Sequence, residues 1–177
     1  CYDRALEIDR HYVIALINMG TAFMNLCKWK EEISCYDKAL EIDPLFGIAW
    51  RRKGTRLSIP YRKYDKAIEC YDNALKTDLM DVYAWKLKGL ALEELKKYKG
   101  AEDCYNQALA FNPLFDEVWY KKGKLMEEIK NTQEALKCYT HLIEIDPNDS
   151  MGWELKIELL IKIKRYEEAI YWLEQAI

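Results

Sequence analysis

A tryptophan recurs along the chain at intervals of 34 or 35 residues, and this period constrains the fold more than any other feature. The tryptophans are Trp50, Trp85, Trp119 and Trp153, and Leu16 occupies the same place one period earlier. Four residues after these positions come Gly20, Gly54, Gly89 and Gly123, with Ile157 in the last period. A fixed period of this length is typical of repeat architectures, in which each unit packs against its neighbours.

Each period contains a second set of matched positions. They are Tyr36, Tyr71, Tyr105 and Tyr139, followed three residues later by Ala39, Ala74, Ala108 and Leu142. Prolines close three periods at Pro44, Pro113 and Pro147, and proline ends helices because it lacks an N–H donor and restricts the residue before it. Between these marks the apolar residues have helical spacing; Trp85, Gly89 and Leu92 share one face. The pattern predicts an all-α protein with two antiparallel helices per repeat.

The period divides residues 1–177 into a single array. Four complete repeats span 13–46, 47–81, 82–115 and 116–149, and partial repeats span 1–12 and 150–177. The one extra residue lies near Pro60, and we expect it in a turn. Arg10 and Leu79 stand where other repeats have proline. Since Cys1 aligns with Cys35, we expect the chain to begin within a second helix and to be a fragment of a longer array.

The combination of W-x-x-K-G-x-x-L, A-x-x-x-Y-x-x-A and a closing proline resembles the tetratricopeptide repeat. The resemblance covers the whole chain. It implies an α-solenoid of stacked helix-turn-helix repeats, forming a right-handed superhelix whose concave groove is lined by the first helices. The run CYDKALEIDP at 35–44, with a lysine before Gly54, Gly89 and Gly123, resembles the variant common in prokaryotic, particularly archaeal, members.

Two departures from the family pattern carry structural expectations. The family usually has leucine before the glycine, whereas this chain has Lys53, Lys88, Lys122 and Lys156. We expect the methylene stems of these lysines to cover the apolar face and their ammonium groups to reach water. The second departure is Glu32, which replaces the usual alanine of the second helix.

Composition excludes several classes of partner. The 27 Lys and Arg residues are balanced by 30 Asp and Glu residues, giving a net charge of −3, which argues against nucleic acid. No apolar run approaches the roughly 18 residues needed to span a bilayer, and the N-terminus lacks the pattern of a signal peptide. We therefore expect no membrane partner and a cytoplasmic location.

The sequence also argues against catalysis and against a metal or other cofactor. Five of the six cysteines recur with the repeat, no C-x-x-C pair exists, and His11 and His141 do not accompany close cysteines in a zinc-like spacing. We expect structural thiols in a reducing compartment. Carboxylate pairs such as Glu93–Glu94 and Glu127–Glu128 recur at repeat spacing, which is typical of a solvated helix face rather than a unique acid–base site.

Function is therefore expected on the outward faces of the first helices. Helical geometry projects that face onto the positions two before each tryptophan and one, five and eight after it. The peptide-binding candidates are Arg51, Thr55, Tyr83, Lys86, Leu90, Glu117, Tyr120, Lys124 and Glu154. These positions vary while the core positions repeat, as a readout surface requires. The tryptophans and Gly54, Gly89 and Gly123 are interpreted as structural.

The leading hypothesis is a scaffold that binds a peptide or helix of a protein partner in the groove. One alternative is a structural solenoid segment that associates weakly end to end, and another is a regulatory array attached to a larger enzyme. For any single groove residue, a solvated helix face whose lysines pair with Glu93 or Glu127 explains the pattern equally well.

Overall fold

The computed structural model describes residues 2–176, with side chains from residue 11 onward, and this range forms ten α-helices and no strand. The chain divides into two compact units, Cys1–Lys97 and Tyr98–Ile177. The first unit contains α1 (Tyr2–Asn25), α2 (Trp29–Ile42), α3 (Gly47–Ser58), α4 (Tyr64–Thr77) and α5 (Val82–Glu94). The second contains α6 (Tyr98–Phe111), α7 (Asp116–Glu128), α8 (Thr132–Ile145), α9 (Ser150–Lys162) and α10 (Tyr166–Gln175). The predicted all-α solenoid of helical repeats is confirmed, and a single array across both units stays a prediction.

The turn inside each hairpin contains one residue in the left-handed conformation, immediately before the last residue of the turn. These residues are Cys27, Arg62, Lys96, Lys130 and Lys164, with φ between 51° and 63°. The next N–H reaches back to a carbonyl of the ending helix; Lys97 donates to Leu92 at 2.9 Å, for example. Such bonds satisfy carbonyls that a helix end otherwise leaves without partners. The extra residue near Pro60 lies, as predicted, in the turn 59–63 between α3 and α4.

The N-terminal helix differs from the prediction for the partial repeat 1–12. Arg10 stands at the place of the prolines that close other repeats, but α1 runs without a break over Tyr2–Asn25. Arginine retains the N–H that proline lacks and does not restrict the preceding residue, so the helical hydrogen bonds continue through this position. Leu79, which also replaces proline, does lie in a turn, because the Asp78 carboxylate accepts a turn N–H. The predicted alignment of Cys1 lies outside the described residues.

The two helices of a hairpin approach most closely where a glycine of the first helix faces a tyrosine of the second. A methyl group at Gly54 would lie 2.7 Å from Cε1 of Tyr71, well inside van der Waals contact. The same contact recurs at Gly20 with Tyr36 and at Gly123 with Tyr139. The tyrosine rings are almost completely buried, and they are the largest of the fully buried side chains. Glycine is required because no other residue leaves room for the ring.

The recurring tryptophans are half-buried and tie each first helix to the turn before it. Every indole N–H donates to the carbonyl oxygen six residues earlier: Trp50 to Pro44 (2.8 Å), Trp85 to Leu79 (2.8 Å), Trp119 to Pro113 (2.8 Å) and Trp153 to Pro147 (3.0 Å). Trp50 also packs against the apolar clusters on both sides of its own helix. One side chain therefore links a turn to two successive hairpins.

The lysines before the glycines do not extend into water as expected. In the first unit, Lys53 pairs with Asp37 at 2.7 Å and Lys88 pairs with Asp72 at 2.6 Å. Each ion pair joins a first helix to the second helix of the preceding hairpin. The carboxylate lies 16 residues before the lysine, in a different hairpin, so the local pattern around the lysine does not reveal it. These lysines stabilise the stacking of successive hairpins and do not simply extend their charges into water.

In the second unit, the equivalent lysines find other partners because the position 16 residues earlier is not acidic. Lys122 pairs with Glu134 at 2.9 Å, and its ammonium lowers the pKa of that carboxyl although partial burial acts in the opposite direction. Lys156 donates to the Thr140 hydroxyl at 2.7 Å and lies 3.1 Å from the Trp172 ring centroid. Burial lowers the pKa of Lys156 to about 8. Both lysines are nearly inaccessible to solvent.

Glu32 is 1 % exposed, which is exceptional for a carboxylate, and it is paired with a cation from the next hairpin. Its Oε2 lies 2.7 Å from Nε of Arg56, and its Oε1 accepts the Tyr36 hydroxyl at 3.1 Å. The Arg56 N–H is not directed at that oxygen, so the contact is an ion pair without a well-aligned hydrogen bond. The guanidinium also lies 4.4 Å from the ring centroid of Trp29.

The pair occupies positions that are apolar in the next repeats. One repeat later, Ala67 and Ala91 replace Glu32 and Arg56 and share a buried apolar cluster with a tyrosine. Further along, the arginine position holds leucine, at Leu125 and Leu159. Both residues of the buried ion pair therefore depart from the repeat pattern, and the charge of each compensates that of the other.

We expect Glu32→Ala or Arg56→Leu alone to lower the free energy of unfolding by about 3–5 kcal/mol, because each leaves a buried charge without its partner. The double variant restores the apolar pattern and should lose less than the sum of the two. Urea denaturation of the four proteins measures this coupling. Asp65→Ala, which removes the exposed pair with Lys97, is the control and should cost less than about 1 kcal/mol. Additive losses in the double variant would contradict the interpretation.

Candidate interaction surface

In the first unit, the predicted groove residues cluster around Tyr83 on α5. Its ring is 51 % exposed, and two cations flank it: Cζ of Arg51 and Nζ of Lys86 each lie 5.5 Å from the ring centroid. A cation at this distance is attracted by the ring quadrupole, so the three side chains restrain one another. The structure therefore brings together three of the predicted residues as one rigid cluster on two successive first helices.

The Arg51 side chain has a structural partner that the sequence pattern did not indicate. Its Nε donates to Oδ2 of Asp81 at 2.8 Å, and the other oxygen of that carboxylate accepts the N–H groups of Tyr83 and Ala84. Asp81 therefore caps α5 and positions Arg51 together. An aspartate directly before an apolar-periodic helix is the signal that could have identified the cap. Lys86 is 8 % exposed, more buried than a groove-facing lysine is expected to be.

The two remaining groove candidates of the first unit are half-buried. The Thr55 hydroxyl donates to the carbonyl of Arg51 at 3.0 Å, one turn earlier in α3, and Leu90 lies on α5. Thr55 also hydrogen-bonds with the hydroxyl of the buried Tyr71. Burial raises the pKa of that hydroxyl to about 12, and the hydrogen bond with Thr55 only partly opposes this shift. Thr55 is therefore a boundary residue that contacts both the core and the outward face.

In the second unit, the predicted residues have a different charge. Glu117 and Glu154 are exposed, and Tyr120 is half-buried with Nζ of Lys121 5.5 Å from its ring centroid. Lys124 is engaged with Glu127 at 3.2 Å, one of the pairings that the solvated-face alternative predicts. Where the first unit presents cations one residue after the tryptophan, the second presents Tyr120 and Glu154. The two units therefore offer different surfaces.

Glu127 is a centre of side-chain bonding in the second unit. The Tyr139 hydroxyl donates to it, and Lys162 lies 3.4 Å from its second oxygen. Partial burial acts to raise the pKa of Glu127, but the Tyr139 and Lys124 contacts outweigh burial and lower it. A carboxylate held ionised by several donors is not poised to exchange a proton near neutral pH.

Comparisons with known proteins agree with this architecture. Family models described as tetratricopeptide repeat match residues 62–114 and 116–149. The chain is a tetratricopeptide repeat protein. Proteins of this family bind protein or peptide partners and are generally not enzymes. No curated protein matches the chain.

Solved structures of other tetratricopeptide repeat proteins have the same fold. MamA is 20 % identical, covers 89 % of this chain and 91 % of its own, and gives a TM-score of 0.79. YrrB, described as a TPR protein with an unusual peptide-binding site, is 21 % identical over 100 % of this chain and 91 % of its own, with a TM-score of 0.74. PilF of Pseudomonas aeruginosa is 21 % identical over 95 % of this chain and 76 % of its own, with a TM-score of 0.78.

The recurring carboxylate pairs of this tetratricopeptide repeat protein take part in contacts between the ends of helices in successive hairpins. The Tyr64 hydroxyl donates to Glu94 at 2.9 Å, and the Tyr98 hydroxyl donates to Glu128 at 2.5 Å. Within the described side chains, no group of three or more His, Cys, Asp or Glu residues could hold a metal ion. None of the helices in the same part of the chain has the length and apolar character needed to cross a membrane.

Four of the recurring cysteines are buried free thiols, at Cys35, Cys70, Cys104 and Cys138. Burial raises the pKa of the Cys70 thiol to about 11 and that of the Cys138 thiol to about 12. Thiols are nucleophilic and bind metals as thiolates, so both shifts suppress reactivity at neutral pH. Cys27, which does not recur with the repeat, is exposed in the turn after α1.

We expect iodoacetamide at pH 8 to alkylate Cys27 of the native protein far faster than Cys70 or Cys138, because the two buried thiols are protonated and inaccessible. Peptide mass spectrometry after timed quenching measures the rate at each site. The same reaction in concentrated urea is the control, where the differences should disappear. Native Cys70 reacting as fast as Cys27 would contradict the assignment.

Proposed function

We propose that the chain is a scaffold that binds a peptide or helix of a protein partner on the outward faces of its first helices. The surface in the first unit consists of Arg51, Thr55, Tyr83, Lys86 and Leu90, and that in the second consists of Glu117, Tyr120, Lys124 and Glu154. Membership of a family that binds protein partners supports the general role. The choice of surface is our proposal.

The observation that carries the proposal is the exposed ring of Tyr83. Single exposed aromatic side chains are common on protein surfaces, but this one lies among the predicted groove residues. Here it is restrained by Arg51 and Lys86, each 5.5 Å from its centroid. Tyrosine and arginine are enriched at binding hot spots because they supply large, rigid contact area with polar tips. A preordered ring loses little conformational freedom on binding, which favours affinity.

We expect Tyr83→Ala to weaken peptide binding about tenfold or more, the effect of losing a hot-spot side chain. Peptides are first selected from a random 12-residue display library on the full chain, and their affinities are then measured by calorimetry. Tyr83 is preferable to Arg51 as a probe, because reversing the Arg51 charge also breaks the pair with Asp81.

Tyr171→Ala is the matched control, since this tyrosine is similarly exposed but lies on α10, a second helix. The affinity of the Tyr171→Ala variant for the selected peptides should equal that of the unmodified chain. The proposal would be refuted if the library yields no binding peptide. It would also be refuted if the selected peptides bind with unchanged affinity when Tyr83 or residues of the second-unit surface are substituted.

A second candidate role is end-to-end self-association, favoured by an apolar surface on α9 and α10. It contains an open pocket of about 260 Å³ lined by Ile157, Ile161, Tyr166, Ala169, Ile170 and Leu173. The equivalent surface of α7–α8 is covered by α9, where Gly152 approaches Ile143. In α1, the residues at the places of Gly152 and Lys156 are Ala15 and Met19, and both are exposed. A second copy could therefore place α1 on this surface, a heterologous contact that continues into filaments.

The association is expected to appear as a sedimentation coefficient that rises with protein concentration. Ile170→Glu with Leu173→Glu should abolish the rise, because two charges in an apolar contact are costly to desolvate. Tyr83→Ala should leave it unchanged, which separates this role from peptide binding. A monomer at every concentration of the unmodified chain would exclude self-association.

A further inference from the structure

One face of α10 carries the same residues as the face of α4 that α5 covers. The matching residues, three repeats apart, are Tyr64 and Tyr166, Ala67 and Ala169, and Ile68 and Ile170. In α4 they form an apolar cluster with Leu87 and Ala91 of α5, which leaves Tyr64 and Ile68 at least half-buried. On α10, Tyr166 is 55 % exposed and Ile170 is 57 % exposed. A further helix like α5 would cover this face in the same way.

Two polar contacts accompany the packing of a first helix on the hairpin before it. The first is the ion pair between a lysine and an aspartate of the preceding second helix, as between Lys88 and Asp72 at 2.6 Å. On α10 the place of this aspartate holds Glu174, which is exposed. Within residues 11–176, no lysine or arginine forms an ion pair with Glu174. Its carboxylate is therefore available to a lysine of another chain.

The second polar contact involves the tyrosine that begins a second helix. The Tyr64 hydroxyl donates to Glu94 of α5 at 2.9 Å, and a guanidinium nitrogen of Arg62 lies 3.5 Å from the same carboxylate oxygen. The matching residues in the last hairpin are Tyr166 and Lys164, and both are exposed. In the described part of the second unit, no carboxylate contacts either of them. The two side chains can therefore receive a glutamate.

The rest of the chain shows that this glutamate is present where the tyrosine is present. Tyr98, at the start of α6, donates to Glu128 of α7. Helices α2 and α8 begin with other residues, and the first helices that follow them have no glutamate at this place. The residues at these places are Trp29 with Ile59 and Thr132 with Lys162. By the same correspondence, the tyrosine at the start of α10 matches a helix that carries glutamate.

We infer that α9 and α10 bind an amphipathic helix of a partner protein with the residue pattern of α5. The pattern has small residues at its first and eighth positions, lysine at the fifth and glutamate at the eleventh, as in Ala84, Ala91, Lys88 and Glu94. Both alanines are buried against α4, so small residues permit close approach. The partner's lysine pairs with Glu174, and its glutamate contacts Tyr166 and Lys164. This site lies outside the proposed groove.

A second copy of the chain matches this surface less well through α1. Met19 stands at the place of the lysine, and Asn25 stands at that of the glutamate. Methionine would leave Glu174 without a cation, and asparagine would bring no negative charge to Lys164. The two charged contacts therefore favour a partner helix over the self-association considered above.

A synthetic peptide of residues 80–96, which contains the α5 sequence, is the probe for the site. Fluorescence anisotropy measures its affinity for the full chain, in which the chain's own α5 already covers α4. The peptide should bind, and Ile170→Glu in the chain should weaken binding at least about tenfold, because the contact would bury a charge. Ile48→Glu, which changes a similarly exposed isoleucine of α3, is the matched control and should leave the affinity unchanged. Circular dichroism checks that both variants are folded.

An exchange of charges tests the pairing with Glu174. The peptide carrying Lys88→Glu should bind the unmodified chain about fivefold less tightly, and Glu174→Lys in the chain should weaken the unmodified peptide by about the same factor. Combining the two changes should restore the affinity to within about twofold, because opposite charges meet again. A peptide of residues 11–26 from α1 should bind at least about fivefold less tightly than the α5 peptide.

Several results would overturn the inference. They are failure of the α5 peptide to bind, binding that ignores Ile170→Glu, and a charge exchange that restores no affinity. Equal binding of the α1 peptide would identify a second copy as the occupant. Loss of binding with Tyr83→Ala in the chain would locate the peptide in the groove, which overturns the inference and supports the proposed scaffold surface. Binding that follows the charge exchange would support the inference even if no library-selected peptide depends on Tyr83.

Discussion

The contact of a buried tyrosine ring with a glycine of the facing helix is the constraint on which the other features depend. At Gly54 and Tyr71, as at Gly20 and Tyr36, there is no room for even one more carbon atom. Close packing of this kind fixes both the separation of the two helices and their rotation about their own axes. Because the rotation is fixed, the residues that face outward are fixed too. The repeat can then vary its outward positions without disturbing its core.

The turns between hairpins extend this rigidity to the surface. The tryptophan N–H binds a turn carbonyl in four successive repeats, and an aspartate or asparagine side chain accepts a turn N–H in the same four. Residues such as Leu45 and Met80 are therefore both exposed and ordered, a combination uncommon in loops. The two units differ in the residue after each tryptophan, which is Arg51 or Lys86 in the first and Tyr120 or Glu154 in the second, whereas the turn contacts recur in both. Partner choice can change through a few outward side chains while the fold is maintained.

Much of the fold could be predicted from sequence because repetition averages out local ambiguity. The helical hairpins, the turn near Pro60 and the tyrosine positions followed from the period. Part of what could not be predicted depends on groups far apart in sequence, because the carboxylate partners of Lys53 and Lys88 belong to other hairpins. The continuity of α1 has a local cause, since Arg10 does not restrict the backbone as proline does. The left-handed residues also escaped prediction, since glycine is the usual signal and none of the five is glycine.

The candidate surface was only partly predictable for the same physical reason. Helical geometry gives the direction of Arg51, Tyr83 and Lys86 from their own helices. It does not give their exposure or their pairing, which depend on Asp81 and on neighbouring side chains. The sequence has no periodic signal that distinguishes the exposed positions of Leu45 and Met80 from core positions. Whether a side chain is available to a partner is a property of the assembled hairpins.

The buried pair of Glu32 and Arg56 has a consequence for how such an array can change over evolutionary time. At the places of Glu32 and Arg56 the later hairpins carry apolar residues, so duplication or exchange of those repeats would leave no buried charge at these places. The junction between α2 and α3 is different, because its two halves match only each other. Any recombination that separates them would leave a charge in an apolar junction on each side of the break. The hairpin that carries Glu32 must therefore remain next to the hairpin that carries Arg56. We expect these two repeats to be duplicated or lost together.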